Sequence, residues 1–372
     1  MVYRKIVAGR CVLAVLVGGF GFMTVAAEAA TVGGDNSKIQ IHGFLSQAYA
    51  KSDGEQFLGI TEDGTANYRN LALQLRFELA ERQALVFQLG HESRGESPRD
   101  AFRDDVEVDW AFYEAHFDHF SVRVGRFPLP LGIYSELRDA GHLLPFYGPP
   151  TTIYGETSFA SDSIDGASVT FNLFPDSAWN LDADMFAGES TFSEKSRTGA
   201  FKLAKTRDDW GVRLWLNTPV EGLRLGYNHH SFEVPSSVVL RNQTRQDFDY
   251  LSFDWTRDRW MVRSEFGRGN FALPFGLDAK VDIGYLTLGY SPFSRFWVYL
   301  QGEKRDVALT PKLQPDRTSH ESLAISLTYA IAERVVVKLE HHDVETTDVD
   351  RATDPLETPK VKVTIASLSV AF

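Results

Sequence analysis

Cysteine is nearly absent: the 372 residues hold one, Cys11. A disulfide framework and a cysteine-ligated zinc site are thereby excluded. Cations are in deficit, 38 Lys+Arg against 50 Asp+Glu, for a formal net charge of −12. Such a chain lacks the basic face that phosphate backbones demand, so no nucleic acid is expected as a partner. Past the N-terminus no stretch approaches the ~18–20 apolar residues that a membrane-crossing helix needs. Helical periodicity is missing too, as are a glycine-rich phosphate loop, a dinucleotide fingerprint and a calcium loop. No cofactor is therefore expected. What the chain has is aromatic residues, 27 Phe, 13 Tyr and 7 Trp. It must hide much apolar surface without any long apolar run.

The one apolar run lies at the start. Arg4, Lys5 and Arg10 precede CVLAVLVGGFGFMTV, and AAEAA follows. A positive region, an apolar region and a small–x–small site, Ala27 and Ala29, read as a secretory signal cleaved after Ala29. The expected division is 1–29 signal peptide and 30–372 one domain, with no cysteine and a more negative charge after cleavage.

From Lys38 onward the period is two. NLALQLRFEL (70–79) sends Leu71, Leu73, Leu75, Phe77 and Leu79 to one face and Arg76 and Glu78 to the other. That alternation is the mark of half-buried strands. The connections alternate as well. Very short links at 80–83, 118–119, 175–178, 218–222, 257–259, 292–294 and 332–333 are separated by long polar stretches. A sandwich has no reason to keep every second connection short, whereas a membrane barrel has tight turns at one end and long loops at the other. Counting between links gives strands at 38–50, 67–79, 83–92, 105–117, 120–127, 163–174, 178–188, 208–217, 222–232, 246–256, 259–268, 280–290, 295–304, 319–330, 333–343 and 361–372. The predicted fold is all-β, a transmembrane antiparallel barrel of about sixteen strands with short periplasmic turns and long extracellular loops. TGAFKLAK (198–205) reads either as an extension of the eighth strand or as loop.

The two faces explain the bilayer. Trp110, Phe112, Trp255, Trp260, Phe266, Tyr290, Phe296 and Tyr329 lie near connections, as interfacial girdles require. Opposite faces carry Arg76, Glu78, Glu107, Asp109, Arg213, Arg224, Arg263, Glu265, Glu303, Lys338 and Glu340. That many charges cannot be packed dry, because an unpaired buried charge costs several kcal/mol or more. A water-filled lumen removes the conflict; an exported soluble sandwich or β-helix would leave the turn–loop alternation unexplained. The chain closes on VTIASLSVAF, with Leu368, Val370 and Phe372 on one face, an alternating strand with a final aromatic that resembles the insertion signal read by the outer-membrane assembly machinery. Val361, Val363 and Ile365 have the other parity unless a bulge intervenes.

KIQIHGFLSQAYA (38–50) and VEVDWAFYEAHFDHFSVRVGRFPLPLGIYSELRD (106–139) resemble the porin family that includes the phosphate-selective porins. There an acidic residue with Trp-Ala meets a hairpin, then R-x-G-R, a short apolar Pro/Gly turn and Tyr-x-Glu-x-Arg-Asp. Here these are Asp109, Trp110 and Ala111, then Arg123, Gly125, Arg126, Gly132, Tyr134, Glu136, Arg138 and Asp139. The match is at motif level only in roughly the first 160 residues. It implies a Gram-negative outer-membrane localisation and a homotrimeric pore with an inward third loop. Phe127 and Pro128 stand where family members often carry a Lys after Gly-Arg, and no ladder of lysine and arginine is evident. The fold and a transport role are carried over; phosphate selectivity is not.

The longest connection, 128–162, carries Leu129, Leu131, Ile133, Leu143, Leu144, Phe146 and Tyr147, too apolar for a loop in water. It is expected to fold inward and present Glu136, Arg138, Asp139 and His142 to the channel. Arg123 and Arg126 would line or anchor that constriction, joined by Arg76, Glu78, Glu107 and Asp109. The alternative is packing over the rim against a neighbouring subunit. The expected function is passive diffusion of small hydrophilic solutes or ions, without an enzyme activity. Acids on faces read as lumenal (Glu78, Glu107, Asp109, Asp182, Asp184, Asp249, Asp254, Glu265, Asp282, Glu303, Glu340) outnumber Arg76, Arg123, Arg213, Arg224, Arg263 and Lys338, so weak cation preference is expected. A barrel acting as adhesin or receptor is the alternative, and a hydrolase a weaker one. There is no G-x-S-x-G, and Ser231 beside His230 is not singled out. His229-His230 and His341-His342 each offer one ring per face, so no metal site is expected.

Overall fold

The computed structural model describes residues 30–34, 37–98, 105–155, 161–195, 201–234, 244–273, 277–310, 317–350 and 358–372. The segment 1–29, expected to be a signal peptide and holding Cys11 and Ala29, lies outside them. Among these residues sixteen strands form one closed antiparallel barrel. They begin with β1 (Ser37–Gly54), β2 (Thr65–Ala80), β3 (Gln83–Arg94) and β4 (Val106–His116). Next come β5 (Phe120–Pro128), β6 (Ser163–Leu173), β7 (Asn180–Lys195) and β8 (Arg207–Asn217). The series continues with β9 (Leu223–Val234), β10 (Thr244–Arg257), β11 (Trp260–Leu273) and β12 (Leu277–Phe293). It ends with β13 (Phe296–Thr310), β14 (Arg317–Ala332), β15 (Val335–Thr346) and β16 (Lys360–Ala371). Each expected strand is present, most of them extended at the loop end. Two short strands are added: Ala30–Gly34 pairs with β1, and Phe201–Lys205 pairs with the end of β7. The second makes Phe201–Lys205, the described part of TGAFKLAK, an extension leading into β8.

The barrel closes where β16 pairs with β1, from Val361 opposite Gly54 to Ala371 opposite Phe44. Gly43 and Phe372 then exchange backbone hydrogen bonds at 3.1 and 3.0 Å. A Cβ on Gly43 would stand 2.2 Å from the end of the Phe372 ring, so any larger residue there requires the ring to turn away. The register of β16 runs without a bulge. Val361, Val363 and Ile365 turn inward and join a buried cluster with Tyr147, Tyr68 and Ile60. Leu368 and Val370 keep the outward parity.

Two sequence assignments change. Trp260, Phe266, Tyr290 and Tyr329 are exposed on the outside, as a girdle demands, but Trp110 and Phe112 are buried inside against Phe127 and Leu129. The cause is a bulge in β4: Gln88 pairs with Trp110 and Leu89 with Val108, so Asp109 is skipped and Asp109 and Trp110 both turn inward. In β10 the pairing is regular, so Asp249 shares the outward parity of exposed Leu251, and only Asp254 faces the lumen. Asp249 bonds Tyr227 and His229 there, and Asp282 pairs with Arg268, both half exposed.

Candidate functional site: the lumen and its inward loop

The connection after β5 runs into the barrel. It carries a short 3-10 turn, Gly141–Leu143, and one helical turn, Thr151–Tyr154. Leu129, Leu131, Ile133, Leu144, Phe146 and Ile153 are all buried, whereas Leu143 is 52 % exposed. Each fully buried side chain of this kind contributes about 2 kcal/mol from the removal of apolar area from water. All but Phe146, which meets the His342 ring, share one cluster with inward-facing rings of the wall, among them Phe232, Phe248, Tyr250 and Tyr285.

Polar contacts fix where the loop sits. Glu265 of β11 is fully buried and meets no cation among the described residues; its carboxylate accepts from Tyr154 Oη, from Tyr285 Oη at 2.8 Å, from Ser252 Oγ at 2.7 Å and from the Ile133 N–H at 3.1 Å. Tyr154 Oη in turn accepts the Ile133 N–H at 2.8 Å. Glu303 of β13 accepts from the Thr152 N–H at 2.9 Å and from the Thr151 and Thr152 hydroxyls. It thus satisfies donors at the start of the helical turn, which no side chain of the turn itself caps. Across the lumen Lys338 of β15 donates to the carbonyls of Gly141 at 2.7 Å and Phe146 at 2.6 Å. Two carboxylates hold loop donors and one ammonium holds loop acceptors. Glu265, Glu303 and Lys338 are therefore anchors of the loop, not open-channel charges, which corrects their reading as solvated lumenal groups. The alternation signals that they face inward but cannot say that a loop meets them.

The remaining site residues fall into two groups. On the turn side of the loop, Arg76 pairs with Glu114, and Arg123 lies 3.7 Å from Glu114 and 3.2 Å from Glu136. Arg213 lies 3.6 Å from Glu136 and 2.7 Å from Asp184. Arg224 and Arg263 share Asp254 at 2.8 and 3.0 Å, and Glu78 accepts from Gln40 at 3.1 Å. Burial acts to raise the Glu136 carboxyl, but the Arg213 and Arg123 charges outweigh it and hold the group below the usual range. Burial pushes the Tyr134 phenol up to about 12, against the pull of the Arg263 guanidinium over its ring.

On the loop side, Asp139 is bonded by Gln88 Nε2 at 2.9 Å and Asn70 Nδ2 at 3.4 Å. Burial holds its carboxyl above the usual range, with Asp162 adding to the effect. Arg138 pairs with Asp162 and donates to the Tyr154 carbonyl at 2.7 Å. Arg126 lies apart from the Arg123 cluster; its Nε donates to the Asp109 carbonyl at 3.0 Å and its guanidinium lies 3.6 Å from Asp165. His142 stacks on Phe44 at 5.9 Å, and burial with the Lys338 charge pushes its ring down. Above the loop opens a cavity of about 320 Å³, bordered by Glu107, Asp109, Arg126, Arg138 and Asp139. Among the described residues, eight Asp and Glu line it against three Arg. Glu114 and the Arg213–Asp184 pair complete the turn-side set; sequence reasoning gave Glu114 no role, although it shares the face of Phe112.

The histidine pairs split as their parity requires. His230 is buried 2.6 Å from Asp209, while His229 is 3.0 Å from Asp249. Ser231 donates to Asp247, not to a histidine.

No protein-family model matches the chain, and no curated protein matches it by sequence. Solved structures do match. OmpT of Vibrio cholerae in its trimer form aligns with 91 % of this chain and 100 % of its own, at 11 % identity and a TM-score of 0.61. The anion-selective porin from Comamonas acidovorans aligns with 90 % of this chain and 100 % of its own, at 13 % identity and 0.61. OmpF of Salmonella typhi, solved with daunomycin, aligns with 92 % and 100 %, at 10 % identity and 0.63. The chain has the fold of outer-membrane porins, a closed sixteen-stranded antiparallel barrel.

Proposed function

We propose that this protein is an outer-membrane diffusion channel for small hydrophilic solutes and ions, exported by the segment 1–29 and assembled as a trimer. The observation that carries the reading is the anchored inward loop, which narrows a charged lumen without filling it with side chains of one sign. Among the described residues the turn side is close to neutral, each of its arginines sitting against a carboxylate, while the loop-side cavity has eight acids and three arginines. A pore lined in this way concentrates cations at its loop-side mouth through the local field and favours neither sign strongly further in. The likeness of 106–139 to phosphate-selective porins is kept as kinship of fold, since paired arginines offer no ladder for an oxyanion. The trimer form of the V. cholerae OmpT structure supports the assembly.

The test is conductance of the refolded chain in planar bilayers. Discrete steps with a modest preference for K⁺ over Cl⁻ are expected, and removal of 138–150 should raise each step clearly. A protein that stays closed to ions and sugars alike would refute the channel. Strong anion preference would refute the reading of the lumen. Unchanged conductance with loss of trimers on the deletion would place the loop at a subunit interface.

A further inference from the structure

We propose that the loop-side cavity holds a subsite for a primary ammonium group, formed by Glu340 of β15 and Tyr147 of the inward loop. The arrival of such a solute rests on the channel reading; the subsite itself does not. Glu340 is 1 % exposed and lines the cavity. Its Oε2 lies 3.1 Å from His342 Nε2, but its Oε1 has no hydrogen-bond partner among the described residues. Tyr147, 9 % exposed, lines the same cavity, and its hydroxyl is likewise unpartnered. Buried polar atoms are nearly always satisfied, so each exception calls for a reason. A missing ligand is one, and its chemistry can be read from the walls.

An orphaned carboxylate oxygen only accepts, so the ligand must donate. The strand's own cation does not supply the donor: Lys338 is committed to the Gly141 and Phe146 carbonyls. The acidic excess of the cavity favours a positive ligand and opposes an anion. Tyr147 and Tyr68 stand with ring centroids 5.1 Å apart, and ring faces attract ammonium groups. Val344, Val363 and Ile365 offer apolar wall beside them, suited to a short alkyl chain. A neutral sugar would find apolar surface where its hydroxyls need partners. Carboxylate, phenol and apolar wall together describe an alkylammonium.

The experiment titrates n-butylammonium into the refolded full-length barrel by calorimetry, with ionic strength held constant. Saturable binding is expected, weakened at least tenfold by Glu340→Gln and several-fold by Tyr147→Phe, and weaker for tetramethylammonium, which has no N–H to donate. Heat-modifiable migration confirms that each variant is folded, and Tyr147→Phe carries the test should Glu340→Gln fail it. Equal binding in wild type and both variants, equal binding of the two amines, or no binding at millimolar amine would each overturn the subsite. Binding without any conductance step would sustain the subsite and overturn the channel.

Discussion

Replacing Glu265 by Gln tests how the loop is held. The side chain keeps its size, and the β-ladder of β11 is untouched. Four donors converge on the native carboxylate, from Tyr154, Tyr285, Ser252 and Ile133. A glutamine offers one acceptor oxygen and turns an NH₂ group toward the rest. Hydrogen bonds to a charged acceptor contribute about 1.5–3 kcal/mol each, and those left over become unsatisfied. Ser252 and Tyr285 belong to the wall, so the bonds that dock the loop are those from Tyr154 and Ile133. Losing the equivalent of one or two of them weakens docking by roughly 3 kcal/mol, after the carboxylate's smaller desolvation cost is credited back. At 1.4 kcal/mol per tenfold, the undocked population should rise on the order of 100-fold. Single-channel recording reads this as excess open-channel noise and excursions to higher conductance, with the heat-modification temperature of the barrel little changed. Tyr285→Phe, which removes a wall donor alone, should do much less. Tyr154→Phe removes a donor to Glu265 and an acceptor for Ile133, so its effect should approach that of the glutamine. If all three variants match wild type in conductance and noise, Glu265 does not anchor the loop.

Three further outcomes follow from the same contacts. Asp139 is held above the usual range by burial, so the docked loop binds the proton more tightly than the free one; docking is strongest at pH below the ordinary aspartate value and weakens as pH rises through the raised one. Open-channel noise should therefore grow from acidic toward neutral pH in wild type, and the growth should vanish in Asp139→Asn. Gly43→Leu puts a side chain into the Phe372 ring and should sharply reduce the yield of heat-modifiable barrel on refolding. Arg213→Gln leaves Glu136 and Asp184 without their shared cation, which costs about 3 kcal/mol if both stay charged; the K⁺/Cl⁻ permeability ratio from reversal potentials should rise, and an unchanged ratio would show that ions do not pass this pair.

The barrel was legible in the sequence because its signals are local. A strand with lipid on one side and water on the other must alternate, and a turn must be short wherever two such strands meet at the tight end. Leu71 to Leu79, and the short links from 80–83 to 332–333, are enough to count the wall. The apolar character of 128–162 was equally local, and it pointed inward because a loop in water has no use for Leu144 or Phe146. What alternation cannot carry is the identity of the partner that each face meets. Trp110 and Phe112 read as girdle residues, yet they pack beneath the loop, since a one-residue bulge at Asp109 reset the parity. Val361, Val363 and Ile365 are as apolar as a lipid face and meet Tyr147 instead. Glu265, Glu303 and Lys338 read as solvated charges, and tertiary structure made them anchors by bringing loop donors and acceptors from more than a hundred positions away. Periodicity reports which side of the wall a residue occupies. Whether that side holds water, lipid or another part of the chain depends on contacts distant in sequence, and only the folded barrel decides it.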